Sequence, residues 1–169
     1  RIKFEDAYGQ QITTSTLLLS MNDVSFAVAC EARYALERAC APLAAARRTA
    51  DHLATMRAEA HRQAQPGLTD EAFCASDVAF HRALVDAADN PVISYQLAGA
   101  VEAMQPLMNM ITFSARSREK IIGFHTQIAD ALEAHDAKTV DTTLAALAAY
   151  TNELAQNVIN ARAAARQAN

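Results

Sequence analysis

The sequence predicts an all-α fold, an antiparallel bundle of about six helices. Three observations carry that. Gly and Pro number only four each in 169 residues, so breakers are scarce. Half of the chain (51%) is apolar, much of it Ala, and Ala, Leu, Arg, Glu and Gln favour helix. The apolar residues recur at three- and four-residue spacing, and the few turn signals cut the chain into helix-sized pieces.

Taken in order, residues 1–21 ("FEDAYGQQITTSTLLLSM" at their centre) read as a linker, a short strand or a lead-in helix, with the domain proper over 22–169. From Asp23 the pattern turns helical, through Val24, Val28, Tyr34 or Ala35, Ala39, Leu43 and Ala46. Pro42 falls inside this run and predicts a kink or an early end. Thr49 is placed to cap the next helix ahead of Asp51, His52 and Leu53. "QPGLTD" (65–70) is the clearest loop. A third helix then starts at Thr69 or Asp70 and passes through Phe73, Phe80, His81, Leu84 and Ala88 until "DNP" (89–91) stops it. Residues 92–113 make a further amphipathic run with a kink expected at Pro106. The polar "SARSREK" (114–120) is a connection, and 119–134 with 137–164 form a helical hairpin around "AHDAK".

Composition narrows the function. The net charge is −4 and no long Lys/Arg run occurs, so this chain lacks the basic face that nucleic-acid binding needs. Cys30, Cys40 and Cys74 show no CxxC spacing and read as reduced, buried thiols of a cytoplasmic protein. No apolar stretch is long enough to span a membrane, and no signal peptide is evident. The chain opens on Arg1 rather than Met and reads as a piece of something longer.

The residues that point to chemistry are Asp77, His81 and His125. A spacing of four puts Asp77 and His81 on one helix face, about 6 Å apart along the axis. A third donor from another helix would complete a metal or small-acid pocket inside a bundle. Taken alone, Asp77 and His81 also suit a plain i,i+4 ion pair, and His125 a satisfied core histidine. Equal arms from the 134–138 turn bring His125 opposite Leu147, not opposite a polar residue. His52, His61 and His135 stand in polar contexts and read as solvated. Met104, Met108 and Met110 read as packing or as the apolar wall of a pocket.

The runs "EARYALERACAPLAAARRTADHLATM", "SDVAFHRALVDAADNPVI" and "FHTQIADALEAHDAKTVDTTLAALAAY" together resemble the FadR-type C-terminal (FCD) domain of GntR-family transcription regulators, over about residues 22–155. The resemblance implies a helical effector-binding domain that forms a homodimer, takes a small carboxylate effector, and follows a winged-helix domain through which the full-length protein meets DNA. It implies Asp77, His81 and His125 as metal ligands, and Arg33, Asp77, His81, His125 and Asn90 as effector-binding residues. Arg33 and Glu37 match the family's R-x-x-x-E element, and Asn90 its helix-ending Asn. Two positions depart from the pattern: Phe124 replaces an acidic residue, and Leu147 stands where the family has a fourth ligand, a His.

With three protein ligands, Zn, Ni, Mn or Fe suits the donor set, more weakly held for want of the fourth. Without a metal, the same residues and Arg33 would hydrogen-bond the effector directly. Two other functions fit the sequence: a stand-alone helical metal-dependent enzyme built on the three donors, though no further catalytic group accompanies them, and an oligomerisation module with a vestigial pocket. The regulator reading is not enzymatic.

Overall fold

The computed structural model of the chain describes residues 1–22, 24–104, 108 and 115–168. A 3₁₀ turn (Phe4–Ala7) leads into α1 (Tyr8–Met21). Then follow α2 (Phe26–Ala39), α3 (Ala41–Arg47), α4 (Ala50–Gln63), α5 (Asp70–Ala87), α6 (Pro91–Glu102), α7 (Arg118–Glu133) and α8 (Ala137–Gln167). The chain is all-α, and no strand occurs among the described residues. Among the described residues there are eight helices, close to the expected six: α1 is a true helix, and the run around Pro42 divides into α2 and α3. The expected kink at Pro106, and Met110, lie outside the described residues.

Local chemistry sets most of the boundaries. Thr49 and Thr69 accept backbone N–H bonds from His52 and Ala72 and so open α4 and α5. Asn90 accepts from Val92 and Ile93, with Pro91 at the first helical position of α6. The α7–α8 turn is a Schellman motif. The Asp136 N–H donates to the Ala131 carbonyl and the His135 N–H to the Leu132 carbonyl, with His135 in the left-handed region at φ 56°. Adjacent arginines reach the ends of α5 and α7. Arg47 donates to the Ala88 carbonyl behind α5, and Arg48 to the Leu132 and Glu133 carbonyls at the end of α7. Each places a cation at a negative dipole end.

α4 packs on both α5 and α7, α8 packs on α2, α3 and α7, and α1 lies along α6. Gly99 permits the last contact, because a Cβ there would come within 2.3 Å of the Ser15 hydroxyl. One apolar cluster (Met56, Phe80, Leu84, Leu97, Ile128, Leu132 and Leu144 among its members) fills the centre. A second, around Phe26, Cys30, Tyr34, Phe73, Ile121 and Leu147, fills the end where α2 meets α8.

The core face of α2 differs from the sequence expectation. Val28 is 61% exposed and Val24 is also exposed. The buried face runs instead through Phe26, Ala29, Cys30, Arg33, Tyr34 and Glu37. Two of those six are charged, so an apolar periodicity mis-phases the helix. All three cysteines are buried, as expected, with no disulfide among the described residues, and burial raises the Cys30 and Cys40 thiols to about 11 and about 12. No helix of the described residues is long and apolar enough to cross a membrane.

Candidate metal and effector site

Arg33, Glu37, Gln63, His81 and His125, five of the buried polar residues, gather around Asp77. Asp77 and His81 lie one turn apart on α5, and His125 reaches them from α7. One donor atom of each lies within 4.8 Å of the others. The Asp77 carboxylate Oδ1 is 3.6 Å from His81 Nε2 and 3.1 Å from His125 Nε2. Both imidazoles are buried, while Asp77 keeps 17% of its side chain exposed. Phe80 stacks on His125 with ring centroids 4.0 Å apart, which fixes the plane of that ring.

Each histidine is held from behind at its other nitrogen. Glu37 of α2 meets His81 at Nδ1 through Oε1. The Gln63 carbonyl Oε1, at the end of α4, lies 2.7 Å from His125 Nδ1. Arg33, one turn before Glu37, lies 3.6 Å from its Oε2. Metal-bound histidines are characteristically held in this way, with an acceptor at the far nitrogen orienting the ring.

The electrostatics follow from burial and partners. Burial disfavours the charged form of His81, but the carboxylates of Glu37 and Asp77 on either side outweigh it and raise the imidazole to about 9. Burial likewise pushes Glu37 up, and His81 and Arg33 bring it below its ordinary value. Asp77 is driven well below the usual carboxylate range because contact with His125 and His81 overcomes its burial. His125 goes the other way. Burial dominates and lowers its pKa, even against the pull of Asp77.

The donor set fits a divalent transition metal. Two imidazoles and one carboxylate suit Zn²⁺, Ni²⁺, Mn²⁺ or Fe²⁺. Among the described residues the buried His125 Nε2 has no aligned hydrogen-bond partner although the Asp77 oxygen is only 3.1 Å away, so proximity without alignment leaves it open to a third party.

Asp77 also forms part of the wall of a small cavity of about 20 Å³, shared with Tyr34, Arg116, Leu147, Tyr150 and Thr151. Leu147 therefore shares the cavity with Asp77, and it is 2% exposed. Met108 is on the same wall. Arg33 is not. Its guanidinium sits behind Glu37 and over the Tyr34 ring, 5.0 Å from the centroid. Asn90 is further off, spent on capping α6 and on the wall of a separate surface hollow with Tyr8 and Arg82.

The structure thus brings together Asp77, His81 and His125, puts Arg33 one residue behind them, and leaves Asn90 apart. It adds Gln63, Arg116, Tyr34 and Tyr150, to which the sequence reading gave no part in the site. Arg116 lay in a stretch that reads as a polar connection. Its guanidinium instead covers the Phe73 ring at 4.6 Å and meets Cys74 Sγ at 2.9 Å. Tyr150 had a signal of a kind, a lone aromatic in an Ala-rich helix. Its hydroxyl accepts the Ser117 N–H at 2.8 Å.

This order of elements, with a donor pair on α5 and a third donor on α7, meets a family comparison at the same place. The family model of the FCD domain matches residues 29–150. The chain belongs to the FCD domain family. An FCD domain is the effector-binding regulatory domain of GntR-family regulators, and the match encloses Arg33, Glu37, Asp77, His81, His125 and Leu147. No curated protein matches the chain.

Proposed function

We propose that this FCD domain is the sensor of a bacterial GntR/FadR-type transcription regulator, one that takes a small organic acid at a divalent metal held by Asp77, His81 and His125. The observation that carries the reading is the meeting of those three donors beside a cavity whose wall includes Arg116. The metal would supply a Lewis-acidic centre for a carboxylate oxygen. The chain's own residues do the rest. Arg116 offers a cation to the acid's charge. Tyr34 and Thr151 offer hydroxyls, and Leu147, Ile121 and Leu154 confine the carbon skeleton.

At about 20 Å³ the cavity admits a water-sized occupant, so an acid of even a few carbons needs the wall to move. That requirement supports a regulatory role. Effector affinity then differs between wall positions, and this difference can couple to the placement of two DNA-binding domains in a dimer. The protein would act in the cytoplasm, with DNA met through a winged-helix domain preceding this one. Leu147 makes the metal site a three-ligand one, open to exchange.

Thermal melting of the purified domain against a panel of small carboxylates, with and without Zn²⁺, Ni²⁺ or Mn²⁺, tests the reading. A rise in Tm for at least one acid, dependent on metal and lost in Asp77→Ala and His125→Ala, is expected. A flat response across acids and metals for wild type rejects it.

A further inference from the structure

Gln63 is the most unusual buried residue outside the ligand set. It is the last residue of α4, 2% exposed, and the only buried residue of that helix besides Met56. Its amide nitrogen has no hydrogen-bond partner among the described residues. Among the described residues its side chain bonds through Oε1 to His125 Nδ1, at 2.7 Å. An amide that is mostly unpaired in an apolar interior is unfavourable for folding. A Leu of similar size would pack there without that penalty.

The single bond it makes has a definite consequence. A carbonyl oxygen carries no proton, so the hydrogen in the Gln63–His125 bond belongs to Nδ1. A neutral imidazole has only one N–H, and Nε2 is then a bare lone pair. That lone pair belongs to the atom 3.1 Å from Asp77 Oδ1 that has no hydrogen-bond partner. The opposite amide orientation would donate to Nδ1, move the proton to Nε2 and turn a donor atom for a cation into a partner for Asp77.

We propose that Gln63 is a positioning residue for a metal: it holds His125 as the Nδ1–H tautomer and so keeps Nε2 free to ligate. The inference rests on the metal reading above and concerns a residue outside its ligand set. It gives α4 a part in the site, alongside α2, whose Glu37 stands behind His81. An uncharged acceptor at His125 leaves the site one negative charge lighter than a second carboxylate would.

Two measurements on this chain test it, with Zn²⁺ alone as the probe. ¹⁵N-resolved spectra of the metal-free wild type at pH 8 should show His125 as the Nδ1–H tautomer. Competition against a fluorescent chelator should show Gln63→Leu binding Zn²⁺ about 10- to 100-fold more weakly than wild type. Gln63→Glu, which keeps an oxygen acceptor, should restore affinity to within a few-fold. A merely structural Gln63 would change Tm without moving the tautomer, and Glu would not rescue it.

An Nε2–H ring in the wild type, or wild-type Zn²⁺ affinity in a folded Gln63→Leu protein, overturns the proposal. If Gln63→Leu does not fold, the wild-type spectrum and the affinity of Gln63→Glu decide. Absence of Zn²⁺ binding together with an Nδ1–H ring defeats the metal reading and the role toward it. Tight Zn²⁺ binding with an Nε2–H ring defeats Gln63 and spares the metal.

Discussion

Glu37 is where the charges of the interior balance. It faces the His81 imidazole on one side and the Arg33 guanidinium on the other, with no exposed surface of its own. Glu37→Gln keeps the shape and removes the carboxylate that pairs with the buried Arg33 guanidinium. Breaking a buried pair in this way costs about 3–5 kcal/mol, and urea unfolding of the metal-free protein should show a loss in that range.

His81 itself gives a pH signature. Its folded pKa of about 9 lies above the ordinary imidazole value of 6.5. The stability it contributes is therefore fully present below pH 6.5 and lost as pH rises through 9. The shift amounts to about 3 kcal/mol at most, at 1.36 kcal/mol per pH unit. Chelator-treated protein should accordingly unfold at lower urea at pH 9.5 than at pH 6.5. A flat or rising midpoint would mean that His81 is not charged between its carboxylates.

At the scale of elements, the sequence was legible wherever a boundary depends on neighbours in the chain. Thr49 and Thr69 announce helix starts, and the DNP run the end of α5, because such signals involve residues only a few positions apart. It was less legible in α2, whose buried face carries Arg33 and Glu37 and so does not look like a core face. α1 was ambiguous because its place depends on α6, more than seventy residues later.

The site divides along the same line. Asp77 and His81 declare themselves by spacing. The partnership of Gln63 with His125 spans 62 residues and has no local trace. Asn90 shows how a family position and a local role can compete. In this fold its oxygen accepts the Val92 and Ile93 N–H groups, so Asn90→Ala should cost about 1 kcal/mol as a lost cap. Zn²⁺ affinity measured on the same variant should stay at the wild-type value. A drop in affinity without a drop in stability would return Asn90 to the binding site.

For the whole molecule, the donors matter because of which helices they join. α4 packs on both α5 and α7, and Asp77 and His81 of α5 meet His125 of α7 through side chains beside Phe80. A cation there would fasten α5 to α7 directly, at the level of the cavity that α8 closes with Leu147, Tyr150 and Thr151. Effector binding at that cation would then bear on α8 and, through its packing, on α2 and α3. A metal that binds only the folded chain stabilises it by mass action, about 2.7 kcal/mol at a hundred times Kd. For a chain of this size that corresponds to a Tm rise of about 5–10 °C. Scanning calorimetry of chelator-treated protein with Zn²⁺ added to that excess should show the rise in wild type and not in His125→Ala. Because the bond joins two helices, it should also slow amide exchange in both α5 and α7. Protection confined to α5 would mean that His125 does not ligate and that the cation sits on the Asp77–His81 pair alone.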